Sequence, residues 1–168
     1  GTLMNITEAI ARLKQEVPHP SKGLPDDLFY YISSTTPIIN VDLLIKDKNK
    51  RTLLAWRDDV YAGKGWHIPG GIIRFKETIE KRIYEVARIE IGSCVDFYYP
   101  EPIAINEIFN YEHEVRSHFI SLLYRCTLPS NFVVKNIKSS RFDPGYLMWH
   151  KSCPDDLLKF QDIYRKYL

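Results

Sequence analysis

The stretch from Pro69 to Gly92 constrains this chain most, because it joins two residues without Cβ to an amphipathic helix whose inner stripe carries an acid. Stepping about 100° per residue after Glu77, Ile79, Ile83, Val86 and Glu90 fall within an arc of about 60°. Glu90 therefore belongs to the apolar stripe. A carboxylate placed there loses several kcal/mol of solvation unless a cation or hydrogen-bond donors replace the water. Taken on the helix alone, two readings stand: a bound metal compensates Glu90, or Glu90 reaches solvent or an arginine past the helix end at Gly92. Pro69-Gly70-Gly71 adds a backbone that turns sharply and bares its carbonyls, so a main-chain oxygen could share a cation with Glu90. Hard ions such as Mg²⁺ favour such oxygen shells, completed by water and by substrate phosphate. The substrate implied is a phosphate ester or anhydride.

The spacing of Gly71, Glu77, Glu90 and Gly92 resembles the Nudix box, G-x5-E-x7-R-E-U-x-E-E-x-G-U, with U a bulky apolar residue. Two departures stand out. Glu85-Val86 replaces the Arg-Glu of the box and Ile89-Glu90 replaces its Glu-Glu, which leaves one of three helix carboxylates. Within the superfamily the chain is most similar to the GDP-mannose mannosyl hydrolase branch, through Thr36-Pro37, Val41 to Ile45, Leu53-Leu54, Arg57 and Trp66, and more weakly through His118 and Trp149.

That resemblance implies that Gly71 and Glu90 hold the metal, Mg²⁺ or Mn²⁺ in its place, while Asp42 and Arg57 bind a nucleotide sugar. Two further arginines of that branch align with Ile72 and Glu85, and a tyrosine aligns with Phe119. A late Gln-His pair, which supplies a ligand and a base, aligns with Asp143-Pro144; Asp143 would take over the ligand role and no residue is assigned as base. An α+β Nudix fold is implied, a mixed β-sheet sandwiched between α-helices, with an extra N-terminal helical segment.

Composition excludes several other classes. With 168 residues the chain suits one domain, here 1–168 with a helical extension over 5–34. Its 23 basic and 21 acidic side chains are interspersed, which argues against a nucleic-acid or membrane surface. Cys94, Cys126 and Cys153 fit neither a disulfide framework nor zinc spacing, so a reducing cytoplasm is expected. The N-terminal residues do not follow the pattern of a secretory signal.

Along the chain, Asn5 and Glu8 resemble a capping box, and Ile6, Ile10, Leu13 and Val17 repeat at helical spacing up to Pro18. In the resembled family this region often builds a dimer. Its apolar face packs either on a second subunit or on the chain's own core, and the second is the reading carried forward. Pro25-Asp26-Asp27 opens a second short helix. Strands are expected at 38–45 and 52–57, with a polar turn at 46–51 and a loop at 58–64. Asp42 inside an apolar run marks a cleft or a hydrogen-bonded structural acid. Arg57, at the end of its strand, either forks onto phosphate oxygens or lies in solvent. His67 reads as a packing neighbour. Further strands are expected at 95–99, 103–111, 118–127 and 146–149, a loop at 135–145, and a terminal helix opened by Ser152, Pro154 and Asp155. Glu107 and His118 either offer acid-base chemistry or face water.

The function expected is Mg²⁺-dependent hydrolysis of a nucleoside diphosphate derivative, best fitted by a nucleotide sugar such as GDP-mannose. Two alternatives are cleavage of the anhydride and binding without turnover.

Overall fold

The computed structural model describes residues 2–98, 101–136 and 140–168. Tyr99, the end of one expected strand, and 137–139 of the expected late loop lie outside them.

Helix α1, Ile6–Glu16, starts as expected, with the Asn5 side chain accepting from the Glu8 N–H at 2.8 Å. It buries none of its residues; Ile6 is 79% and Ile10 47% exposed. The expectation that its apolar face packs on the chain's own core is therefore not met. A 3₁₀ turn and α2, Asp26–Ser33, follow, with Asp26 and Asp27 in the first turn of the helix.

Strand β1, Ile38–Ile45, occupies the β-branched run, and β2, Thr52–Asp59, the largely apolar run after the polar turn. After them come β3, Gly63–His67, β4, Gly70–Ile72, and α3, Ile79–Val86. The chain continues through β5, Asp96–Phe97, β6, Ala104–Phe109, β7, His118–Thr127, and β8, Leu147–His150, to a 3₁₀ segment, Lys159–Tyr167. β4, β1, β7, β6 and β5 form a mixed sheet in which β1 and β7 run parallel, and β3, β2 and β8 form an antiparallel one.

The alternation of β1 and β2 builds two cores. Val41, Leu43, Ile45, Leu53 and Ala55 pack with Ile83 and Val86 of α3. Leu44, Leu54 and Trp56 point the other way, onto Trp66, Leu157 and Tyr164. Helical layers thus cover both faces, as the expected sandwich requires.

Three local readings change. Positions 58–59 belong to β2, 63–64 to β3 and Gly70-Gly71 to β4, where turn or loop is expected, because polar and glycine-rich strand segments carry no apolar alternation. The terminal helix is 3₁₀, and the buried residues Leu158, Gln161 and Tyr164 recur every third position, as that geometry demands. Finally, the α-helical span of α3 ends at Val86 and a π turn, Ala87–Ile91, carries Glu90.

Candidate active site

Gly70 is the meeting point of the site. It stands opposite Asp42 in the pairing of β4 with β1, and a Cβ there would lie 2.2 Å from Asp42 Oδ1 and 2.7 Å from the Val41 carbonyl oxygen. Only glycine fits. Its N–H donates to Glu90 Oε2 at 3.1 Å, so the acid of the π turn and the acid of β1 converge on one residue. Gly71 is needed for packing instead, since a Cβ there would meet Val86 Cγ2 at 2.7 Å.

The register also decides which carbonyl is free. The Leu43 N–H bonds to Pro69 O and the Ile73 N–H to Ile39 O, which makes Val41 and Gly71 the hydrogen-bonded pair between them. The Gly71 carbonyl thus faces Val41. At the outer edge of β4 it is the carbonyl of Gly70 that turns toward the side where Glu90 lies.

Asp42 is 4% exposed. Its Oδ1 accepts from Asn40 Nδ2 at 3.0 Å, and its Oδ2 accepts from the Tyr164 hydroxyl, supplied by the terminal 3₁₀ segment. Ser121 of β7 donates to Asn40 Oδ1 beneath it. Burial pushes the Asp42 carboxyl up to about 7, against the hydrogen bond from Tyr164 and the charge of Arg57, which lower it. Glu90 is also pushed up to about 7 by burial; the Gly70 N–H and Arg57 oppose this and the Asp42 charge adds to it.

Arg57 is held by Asp59, which also caps the Tyr61 and Ala62 N–H groups at 2.9 and 2.7 Å. His67 Nδ1 donates to the Ala55 carbonyl at 2.9 Å, and burial, with Arg57 nearby, pushes the ring down to about 4, so it is neutral. Glu77 is bound in a fork by Arg82, at 2.6 and 2.7 Å, with both side chains at most 7% exposed. That fork holds the Glu77 carboxyl below its usual range. Glu77 thus braces the loop before α3 against the helix.

Asp42, Arg57, Gly71, Glu90 and Asp143 all line one cavity of about 1270 Å³. Other expected residues lie elsewhere. Glu107 is exposed on β6, beside a smaller hollow with Lys159 and Asp162, and His118 stacks on Phe109 with centroids 4.5 Å apart. Sequence reasoning missed Asn40, Tyr164, Arg82 and the role of Gly70. Asn40 shares a strand face with Asp42, a legible signal; Tyr164, 122 residues from Asp42, left none.

The donors present fit a hard divalent ion. Among the described residues neither Asp42 nor Glu90 belongs to an ion pair, so two buried carboxyls lack a cation in contact. Also among the described residues, no group of three or more His, Cys, Asp or Glu side chains is placed to hold a metal. Such a site would depend on carboxylate, carbonyl, water and substrate oxygens, a shell suited to Mg²⁺. Cys94, Cys126 and Cys153 are all free thiols, and among the described residues no helix is long and apolar enough to cross a membrane.

The architecture is the Nudix fold. The structure is similar to a MutT Nudix hydrolase from Burkholderia pseudomallei, with TM-score 0.61 and 16% identity over 79% of this chain and 98% of the other. It is also similar to a UDP-X diphosphatase, with TM-score 0.56 and 14% identity over 95% of this chain and 75% of that one. No protein-family model matches the chain. In sequence it is similar to the low-salt glycan biosynthesis protein Agl8 of Haloferax volcanii, 26% identical over 144 residues, which cover 82% of this chain and 90% of that protein.

Proposed function

We propose that this protein is a Mg²⁺-dependent hydrolase of a nucleoside diphosphate derivative, with a nucleotide sugar such as GDP-mannose as the best-fitting substrate. The observation that carries this reading is the convergence of Asp42 and Glu90 on Gly70 inside a cavity that also holds Arg57 and Asp143. Similarity to a glycan biosynthesis protein supports a sugar nucleotide, and the likeness to a UDP-X diphosphatase supports the diphosphate.

Glu90 and a glycine carbonyl would hold the ion, that of Gly70 by the strand register or of Gly71 by the family resemblance, with Asp143 as a further ligand. When bound, Mg²⁺ supplies charge neutralisation of the diphosphate. Arg57, fixed by Asp59, adds a guanidinium for phosphate oxygens. Asp42 is oriented by Asn40 and Tyr164 to accept a hydroxyl of the sugar or an N–H of the base. In hydrolysis at the sugar, the oxygen of water bonds to the anomeric carbon, the glycosidic C–O bond breaks, and the nucleoside diphosphate leaves with the bonding electrons. The proton of water passes to a base. In the same reading, the uncovered apolar face of α1 meets a second copy of the chain and the protein works in the cytoplasm.

Product analysis tests this: GDP-mannose and a nucleotide-sugar panel are incubated with protein and Mg²⁺. Nucleoside diphosphate and free sugar are expected. Monophosphate and sugar phosphate would place attack at phosphorus and make the protein a pyrophosphohydrolase. A second reading, nucleotide-sugar binding without turnover, is favoured by α3 and the π turn after it, where Val86 is buried in the core at one of the box positions for acids and Ile89 occupies another. Thermal stabilisation by a nucleotide sugar with no product would establish it.

A further inference from the structure

The cavity extends past Arg57 into a region built by the N-terminal extension, where it is lined by Phe29 of α2, Tyr61 of the β2–β3 turn and Arg116 of the β6–β7 turn. The Arg116 guanidinium lies over the rings of Phe29 and Tyr61, 5.5 and 5.6 Å from their centroids. Among the described residues, no carboxylate or carbonyl takes its N–H groups. The nearby acid, Asp59, is occupied by Arg57 and by two backbone N–H groups. Arg116 therefore brings to the cavity wall a guanidinium that belongs to no ion pair among the described residues, with five donors set against two aromatic rings.

Its backbone is constrained as well. Arg116 has φ of 51°, a conformation L side chains rarely adopt, and its N–H donates at 2.9 Å to the hydroxyl of Ser33, which is 4% exposed at the end of α2. The β6–β7 turn is thereby tied to α2. The Phe29 ring comes from the same helix, so α2 both anchors the turn and helps to orient the guanidinium.

From this geometry we propose that Arg116 is a specificity residue that favours nucleotide derivatives carrying a further anionic group beyond the diphosphate, either a carboxylate or an additional phosphate. Both are planar or tetrahedral oxygen acceptors that a guanidinium grips with two parallel hydrogen bonds. The proposal rests on the cavity being the nucleotide site.

The test is calorimetric binding in Mg²⁺ with matched pairs: a nucleoside diphosphate hexuronate against the corresponding hexose, and a nucleotide sugar with a ribose 3′-phosphate against the same compound without it. Wild-type protein is expected to bind the acidic member of at least one pair about tenfold more tightly, a difference of about 1.4 kcal/mol. The pair that responds tells a sugar carboxylate from a nucleoside phosphate. Arg116→Met keeps an apolar stem against the rings and should bring that ratio close to one, while Arg116→Lys restores part of it. Equal affinities within both pairs in wild type, or an Arg116→Met variant that weakens both members equally, would overturn the proposal and leave the nucleotide-sugar reading in place. Failure of all four compounds to bind would overturn both. Unchanged melting of the variant in the absence of ligand is the control for folding.

Discussion

Replacing Glu90 by Gln in metal-free protein probes the two buried carboxyls directly. In the unfolded chain Glu90 ionises near 4.5, and in the folded chain near 7. Below about pH 4.5 both states hold the proton and the side chain does not bias folding. As pH rises, the unfolded state releases its proton first, so stability falls progressively through that window and levels off once the folded carboxyl also ionises. The interval from 4.5 to about 7 corresponds to about 3 kcal/mol at ~1.4 kcal/mol per pH unit. The amide keeps the shape of the side chain and an oxygen for the Gly70 N–H, but it has no charge to bury.

Glu90→Gln should therefore match wild type near pH 4.5 and exceed it by up to about 3 kcal/mol near pH 8, measured by urea unfolding in EDTA across that range. Adding Mg²⁺ should then stabilise wild type and leave the variant unchanged. A difference between the two proteins that stays flat with pH would refute the reasoning, because it would mean that Glu90 is solvated in the folded chain.

Tyr164→Phe removes the hydroxyl that donates to Asp42 and should cost about 1–3 kcal/mol; a titration of the Asp42 carboxyl by NMR should move up, since that hydrogen bond holds it down. Arg82→Met leaves Glu77 without its buried partner and should cost about 3–5 kcal/mol in urea unfolding; the double variant Glu77→Leu/Arg82→Met should recover most of that loss.

The strands were legible because β1 and β2 are runs of β-branched and apolar residues with both faces buried, and α3 because Ile83 and Val86 fall on one stripe. The C-cap at Gly92 was equally legible, and its φ of 77° shows why a glycine is needed there. The packing of α1 was not, since an amphipathic pattern says that a face is apolar and not what covers it. Nor was the period of three in the last segment, where Gln161 turns inward to accept the Ile68 N–H.

By itself the sequence determined that an acid would sit in the inner stripe of a helix after a bare glycine pair, with Asp42 and Arg57 on successive strands. Each of those statements follows from spacing along the chain, and helix and strand periods convert spacing into faces. Tertiary structure alone decided that Gly70 rather than Gly71 turns its carbonyl outward, that Tyr164 reaches Asp42, and that Arg82 takes Glu77. It also decided that Arg116 lies between Phe29 and Tyr61 at the wall of the same cavity. Those outcomes depend on strand register and on contacts between distant segments, which are selected by the packing of the whole chain and leave no periodic trace in local sequence.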